Sequence, residues 1–340
     1  MMVDPLKITG AGDETLVLGI DPGPVRPTAP SAWSVLSLHR NTGRIDIVRP
    51  ATAIRKTALR DSLVALLSFP DLRLVCLGAP LTPLPLAQKP LRARSVEIRL
   101  SRGAFSASER GPGMPWIATP RLWPHYVQAR PLQEALEQRG FPLITLPADI
   151  DSVRLPSRCT TEVFPKASLA LLTSHKTLRK RPLAGEFCGQ LDDWSFPRLF
   201  TEMESSPPPI QACLQALSPG LHLAPEALAE ARRIAAIRRP YSRREPLRAF
   251  VAALQGVVAL RGGACLVGAP GDHEGSILLP ATWHPDWEAE WRINRRIFQV
   301  HRYPVEEPDP SASLPPPHES LFPDSRFSID KPAAKPVECR

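Results

Sequence analysis

The stretch Val17-Leu18-Gly19-Ile20-Asp21-Pro22-Gly23 decides how the rest of the chain is interpreted. Residues 16–20 are apolar or small without alternation, which is typical of a strand buried on both faces. Pro22 has no N–H to give to a sheet and Gly23 tolerates a positive φ, so we expect the strand to end at Asp21. This places Asp21 at the carboxyl end of a central strand, where open α/β sheets bind their ligands.

Two interpretations of Asp21 are open from the sequence alone. In the first, its side chain closes the strand by accepting a hydrogen bond in an Asx turn, which is a structural role. In the second, its carboxylate is a metal ligand, because hard cations bind oxygen atoms that are held on rigid elements.

The segments around this stretch predict an α/β domain. After residues 16–20, we expect strands at residues 32–38, 45–48, 72–77, 142–146, 161–164 and 276–279. We expect helices at residues 94–102, 57–68, 121–140, 167–174, 191–203, 225–238, 246–260 and 283–300. The helix at 57–68 joins two buried strands, so residues 16–77 predict a β-α-β arrangement.

Composition sets the expected domain boundaries. The chain has 340 residues, of which 41 are proline, about 12% against a usual value of about 5%. We expect a flexible leader at residues 1–13, one domain at 14–303 with a helical insertion at about 176–246, and a disordered Pro-rich tail at 304–340.

The cysteines and the hydropathy predict a cytoplasmic protein. Cys76 and Cys265 lie in apolar runs and no CxxC pair occurs, so we expect buried free thiols in a reducing compartment. There is no signal-peptide-like apolar segment near the N-terminus and no apolar run of about 18 residues. We therefore expect no membrane partner, while the oligomeric state stays open.

The chain also carries five short motifs in a fixed order. They are Gly19-Ile20-Asp21, Cys76-Leu77-Gly78-Ala79-Pro80-Leu81, Thr161-Glu162-Val163-Phe164-Pro165, the helix at residues 247–254, and Asp272-His273-Glu274-Gly275-Ser276-Ile277-Leu278-Leu279-Pro280. Over about residues 16–281 this order resembles an uncharacterised bacterial family of predicted ribonuclease H-like nucleases. The resemblance implies a ribonuclease H-like fold, with a mixed central sheet and flanking helices. It also implies hydrolysis of phosphodiesters with Mg²⁺, for which Mn²⁺ substitutes.

The resemblance implies that Asp21 and Glu162 are the catalytic, metal-binding carboxylates, although Glu162 also suits a surface strand. Two of the four acids in the family pattern are absent, because Gly78 and Arg248 stand where the pattern has Asp. Two Mg²⁺ ions held about 4 Å apart need a larger carboxylate cluster, whereas two carboxylates suit one ion with waters. We therefore expect a weak or lost activity, and we expect Arg248 to pair with Asp21 or Glu162 in place of a metal.

Other acids are candidates to replace the missing ones. We expect Asp192 and Asp193 to cap a helix and Glu245 to be a solvated residue in the first turn of its helix. Residues 272–274 are expected to form a turn before a strand.

Basic residues favour a polyanionic partner. The net charge is +8 and the isoelectric point about 9.5. The candidates for binding nucleic acid are Arg232, Arg233, Arg238, Arg239, Arg243 and Arg244. The alternative for these arginines is a solvated helix face.

The same features leave two further functional hypotheses open. One is a non-catalytic module that keeps the fold and binds nucleic acid or a protein through its arginines. The other is an actin-like ATPase, which shares the first-strand Asp-Gly hairpin but needs a second Gly-rich phosphate motif that we do not find.

Overall fold

A computed structural model describes residues 13–23, 30–81, 96, 123–144, 157–172, 199–200, 208–236, 245–268, 275–281, 292 and 299–302. The strands are β1 (Glu14–Asp21), β2 (Ser31–His39), β3 (Arg44–Ile54), β4 (Leu72–Leu77), β5 (Cys159–Val163), β6 (His222–Leu223), β7 (Ala264–Gly268), β8 (Ser276–Pro280) and β9 (Gln299–Arg302). The helices are α1 (Lys56–Leu67), α2 (Trp123–Gln138), α3 (Pro165–Leu171), α4 (Pro209–Leu217), α5 (Pro225–Ala235) and α6 (Glu245–Leu260).

The described strands form one mixed sheet in the order β6-β3-β2-β1-β4-β5-β8-β7-β9. Strands β1, β4, β5 and β8 are mutually parallel, whereas β2 runs antiparallel to β1 and β7 antiparallel to β8. The expected α/β fold with a mixed sheet is therefore confirmed. The four parallel strands end at the same edge, which is the edge where Asp21 lies.

Each face of the sheet has its own apolar core. On one face, Val17, Leu74 and Cys76 pack with Phe250 and Val257 of α6. On the other face, Leu18, Ile20 and Leu77 pack with Leu63 of α1 and Leu136 of α2. Alternate residues of β1 thus enter opposite cores, which explains why the whole strand after Glu14 is buried.

Helix α6 lies unusually close to the central strands. A Cβ atom on Gly19 would collide with the backbone at Ala249 and Ala253 of α6. A Cβ atom on Gly256 would lie 2.6 Å from both Cys76 Sγ and Val17 Cγ1. Glycine is therefore required on both partners for the helix to reach the sheet.

Most of the predicted elements in the described ranges are confirmed, with small shifts of their ends. The third strand is longer than expected, because it continues through Pro50 to Ile54. The predicted strand at 142–146 is reduced to a single bridge between Leu143 and Thr160. Gly140 follows α2 with a φ of 80°, as expected for a helix stop.

Several elements were not predicted or were predicted wrongly. Strand β7 and helix α4 were missed, and β6 contains only two residues. The helix predicted at 283–300 is wrong at its end, because Gln299 begins β9. The leader at 1–12, the tail at 304–340 and the helices at 94–102 and 191–203 lie outside the described ranges, apart from isolated residues.

The segment predicted as a helical insertion contributes to the main core where it is described. Strand β6 extends the sheet by pairing with β3. In α5, Ala227, Ala231 and Ile234 belong to the same apolar cluster as Phe250 of α6. This part of the chain therefore packs together with the sheet.

Cys76 and Cys265 are buried free thiols, as expected. No helix in the described part of the chain has the length and apolar character needed to cross a membrane.

The close approach of α6 to β1 predicts that Gly19→Ala destabilises the protein strongly. The new methyl group must push α6 away from the sheet, so we expect urea unfolding to show a loss of at least about 2 kcal/mol. The matched control is Gly78→Ala on the neighbouring strand, where the new Cβ would meet its nearest atom, the Ile20 carbonyl oxygen, at 3.4 Å. Equal losses for the two variants would contradict this account.

Cys76 predicts a specific dependence of stability on pH. Burial raises the pKa of its thiol well above the ordinary value, and the nearby Cys159 adds to the rise. Above about pH 9 the unfolded chain loses this proton while the folded chain keeps it, so stability falls by up to about 1.4 kcal/mol per pH unit. In urea titrations from about pH 8 to 10.5, Cys76→Ala should show a slope that is shallower by this amount. An unchanged slope would show that Cys76 ionises equally in both states.

Candidate functional site

The candidate site lies at the carboxyl edge of the parallel strands. Ile20 of β1 is in register with Leu77 of β4, and Leu77 is in register with Glu162 of β5. Asp21 is the last residue of β1, and Gly78 directly follows the end of β4. The fold therefore brings three of the four positions singled out by the resemblance to one edge of the sheet.

Asp21 uses its two carboxylate oxygens differently. Oδ1 accepts a hydrogen bond of 2.8 Å from the backbone N–H of Gly23, whose φ is 68°. This is the Asx turn that the sequence suggested as one alternative. Oδ2 is buried and accepts no hydrogen bond from the described part of the chain. The turn therefore fixes the carboxylate and leaves one oxygen directed at α6.

Arg248 of α6 is the cation that faces this second oxygen. Its Nη1 lies 3.5 Å from Asp21 Oδ2, so the expected pairing of Arg248 with Asp21 is confirmed. The separation is longer than the roughly 2.7–2.9 Å of a strong charge-assisted hydrogen bond. The side chain of Arg248 is 37% exposed, whereas that of Asp21 is only 6% exposed. The guanidinium therefore covers a buried carboxylate from the solvent side.

Glu245 is the acid that sequence reasoning placed wrongly. It begins α6, as expected, but it is only 1% exposed rather than solvated. A Cβ atom on Gly23 would lie 3.6 Å from Cγ of Glu245, so Glu245 packs against the turn that holds Asp21. Two signals pointed to this placement. Residues 245 and 248 lie on the same face of a helix, and the rest of α6 is apolar on every side.

Gly78 leaves room where the family pattern has an acid. The nearest atoms to a Cβ on Gly78 would be the Ile20 carbonyl oxygen at 3.4 Å and Pro165 Cγ at 3.6 Å. These are ordinary contacts, so the backbone tolerates a side chain there. Gly78 lies two residues after Cys76, whose side chain points to the α6 face of the sheet. A side chain at position 78 would therefore point to the same face.

Glu162 lies at the same edge of the sheet, but its side chain leaves β5 on the face opposite α6. It is in register with Leu77, which packs in the core opposite α6, whereas the next residue, Val163, packs on the α6 side. Its Oε2 accepts a hydrogen bond of 3.0 Å from the backbone N–H of Leu81. Since β5 is two strands from β1, the Cα atoms of Asp21 and Glu162 are about 10 Å apart. Glu162 therefore supports the segment after β4.

The arginines proposed for nucleic-acid binding are described only at two positions. Arg232 donates a 2.7 Å hydrogen bond from Nε to the carbonyl of Phe200. Arg233 forms two 2.6 Å hydrogen bonds with Glu230, and these raise the pKa of Arg233. Both guanidinium groups thus contact other parts of the chain. The remaining candidates lie outside the described ranges, namely Arg238, Arg239, Arg243 and Arg244. Residues 192–193 and 272–274 lie outside those ranges as well.

The acids that the structure describes do not gather into a larger cluster. Within the described residues, no group of three or more His, Cys, Asp or Glu side chains is placed to hold a metal ion. What the geometry offers instead is a pair of buried carboxylates, Asp21 and Glu245, beside one guanidinium. Such a pair suits at most one hard cation that keeps several of its waters.

Comparisons of the chain with protein-family models, with curated proteins and with solved structures found no match. The family resemblance of the five motifs therefore stays a prediction. The chemistry of the site has to be argued from its own geometry.

The Asp21–Arg248 pair predicts a measurable coupling between the two side chains. Arg248→Gln removes the guanidinium from beside the buried carboxylate of Asp21, so we expect the free energy of unfolding to fall by about 2 kcal/mol. This lies between the values typical of exposed and of fully buried ion pairs. Asp21→Asn in the Arg248→Gln background should recover part of the loss, because one uncompensated charge disappears. Additive effects in urea unfolding of the double-mutant cycle would show that the two residues do not interact.

Proposed function

We propose that this chain is a divergent ribonuclease H-like nuclease domain with a weak, single-cation centre at Asp21. The observation that carries the proposal is the fixed, buried carboxylate of Asp21 at the carboxyl edge of a mixed sheet. The strand–Asp–turn–strand order of β1 and β2 is the arrangement that the family resemblance implies. The proposed substrate is a nucleic acid, which the net charge of +8 supports.

The donor set fits one divalent ion. Asp21 Oδ2 is a buried oxygen that accepts no hydrogen bond within the described residues, and a hard cation binds oxygens of this kind. When bound, such an ion would polarise a phosphoryl oxygen and lower the pKa of a coordinated water. A second ion is not supported, because Gly78 contributes no side chain and Glu162 starts from the opposite face.

The residues around Asp21 have distinct roles in this proposal. The Gly23 N–H orients the carboxylate by holding Oδ1. The Pro22 carbonyl accepts a 2.8 Å hydrogen bond from Ser31 Oγ, which ties the turn to the start of β2. The exposed part of Arg248 lies where a polyanionic substrate would approach, so its charge would attract phosphate groups.

The second candidate function is a non-catalytic binding domain that has kept the fold. The observation that favours it is the ion pair between Arg248 and Asp21, because such a pair compensates the carboxylate without a metal ion. On this hypothesis Asp21 and Arg248 only stabilise the end of β1, and binding relies on other surfaces.

Calorimetric titration of the full chain with MgCl₂ and MnCl₂ tests the proposal. We expect saturable binding to the wild type and a loss of affinity of about tenfold or more in Asp21→Asn, because the best-placed oxygen ligand is removed. Asp13→Asn is the matched control, since Asp13 is an exposed acid just before the other end of β1.

The outcomes separate the two candidate functions. Binding that depends on Asp21 supports the nuclease proposal, and a cleavage screen on DNA and RNA should then show activity that Asp21→Asn lacks. Absence of metal binding both in the wild type and in a variant that lacks the charge of Arg248 would exclude the nuclease and leave the binding domain.

A further inference from the structure

The first turn of α6 brings a carboxylate and a guanidinium to the end of β1. Glu245 packs against Gly23, and Arg248 reaches Asp21 Oδ2 three residues further along the helix. Residues at this spacing lie on the same side of a helix. The two acids and the arginine therefore belong to one small cluster, which is built from one strand end and one helix start.

Burial differs sharply within this cluster. Glu245 is 1% exposed and the side chain of Asp21 is 6% exposed, whereas that of Arg248 is 37% exposed. Buried carboxylates are costly unless a cation or hydrogen-bond donors compensate them. A positive charge that the structure places beside Asp21 is that of Arg248, whose Nη1 is 3.5 Å from Asp21 Oδ2.

The compensation of Asp21 is incomplete in geometric terms. Oδ1 is held by Gly23, while Oδ2 is buried, accepts no hydrogen bond from the described residues and is 3.5 Å from Nη1 of Arg248. A divalent ion would approach such an oxygen to about 2.1 Å. It would therefore neutralise the carboxylate far better than the guanidinium does.

We propose that Asp21 and Glu245 form a site for one divalent cation, and that Arg248 serves as its internal counter-ion until the metal displaces it. This inference rests on the proposed function and deepens it by naming the second ligand and the group that controls access. The long flexible stem of arginine can carry its charged end outward while the stem stays on the protein surface. Glu245 then supplies, one helical turn earlier, the helix carboxylate that position 248 lacks.

In this proposal either the metal ion or the guanidinium of Arg248 lies beside Asp21, but not both at once. Arg248 lowers the affinity for the ion, because the ion must first displace it and then bind near a like charge. Removing the guanidinium should therefore tighten metal binding, which is the opposite of what a merely structural ion pair predicts.

The test is calorimetric titration of the full chain with MnCl₂ in four forms. They are the wild type, Arg248→Met, Glu245→Gln and the control Arg130→Met. Methionine keeps an apolar stem and removes the charge. Arg130 is an exposed arginine of α2 paired with Glu134, so its variant also removes one charge and one ion pair. Circular dichroism and thermal unfolding confirm that each form is folded.

We expect Arg248→Met to bind Mn²⁺ about tenfold or more tightly than the wild type. We expect Glu245→Gln to bind at least about tenfold more weakly and Arg130→Met to behave as the wild type. Binding that appears only in Arg248→Met supports the inference even where the wild type shows none.

Three results overturn the inference. They are that Arg248→Met does not tighten binding, that Glu245→Gln does not weaken it, or that Arg130→Met tightens it equally. In each case, wild-type binding that Asp21→Asn abolishes leaves the proposed function standing. If neither the wild type nor Arg248→Met binds Mn²⁺, both proposals fail. If Arg248→Met does not fold, Glu245→Gln alone decides the inference.

Discussion

The close contact between β1 and α6 is the constraint on which the rest of the structure depends. Gly19 on the strand and Gly256 on the helix have no side chain, so backbone and small side chains touch directly. This contact buries nearly all of α6 and sets both its height and its rotation against the sheet. Because α6 is rigid, its first turn is placed at the end of β1, and the positions of Glu245 and Arg248 follow from that.

The same constraint determines which acids can act together. In a sheet, residues in register on neighbouring strands point to the same face, and the next residue points to the other. Glu162 is in register with Ile20, so it cannot share a face with Asp21, and it instead accepts the N–H of Leu81. The helix supplies the second carboxylate near Asp21. The two acids near each other therefore come from one strand and one helix, and not from a cluster along the sheet edge as the sequence suggested.

The sequence allowed the central elements to be predicted because their signals are local. The continuous apolar runs of β1 and β4 and the long apolar helix α6 needed no tertiary information. Strands β6 and β9 were missed because they are short and owe their pairing to the neighbouring strands. Strand β7 was missed although its apolar run is as long as β5 and β8, which were predicted. The burial of Glu245 and the face of Glu162 depend on register and helix rotation, which only the assembled fold sets.

The most direct test of this account is a crystal structure of the full chain with Mn²⁺, with the ion located by anomalous scattering. The account predicts one anomalous peak about 2.1–2.3 Å from Asp21 Oδ2 and a Glu245 oxygen, with the guanidinium of Arg248 moved away from Asp21. A Mn²⁺-saturated crystal in which Arg248 still pairs with Asp21, and in which no ion lies between Asp21 and Glu245, would contradict it.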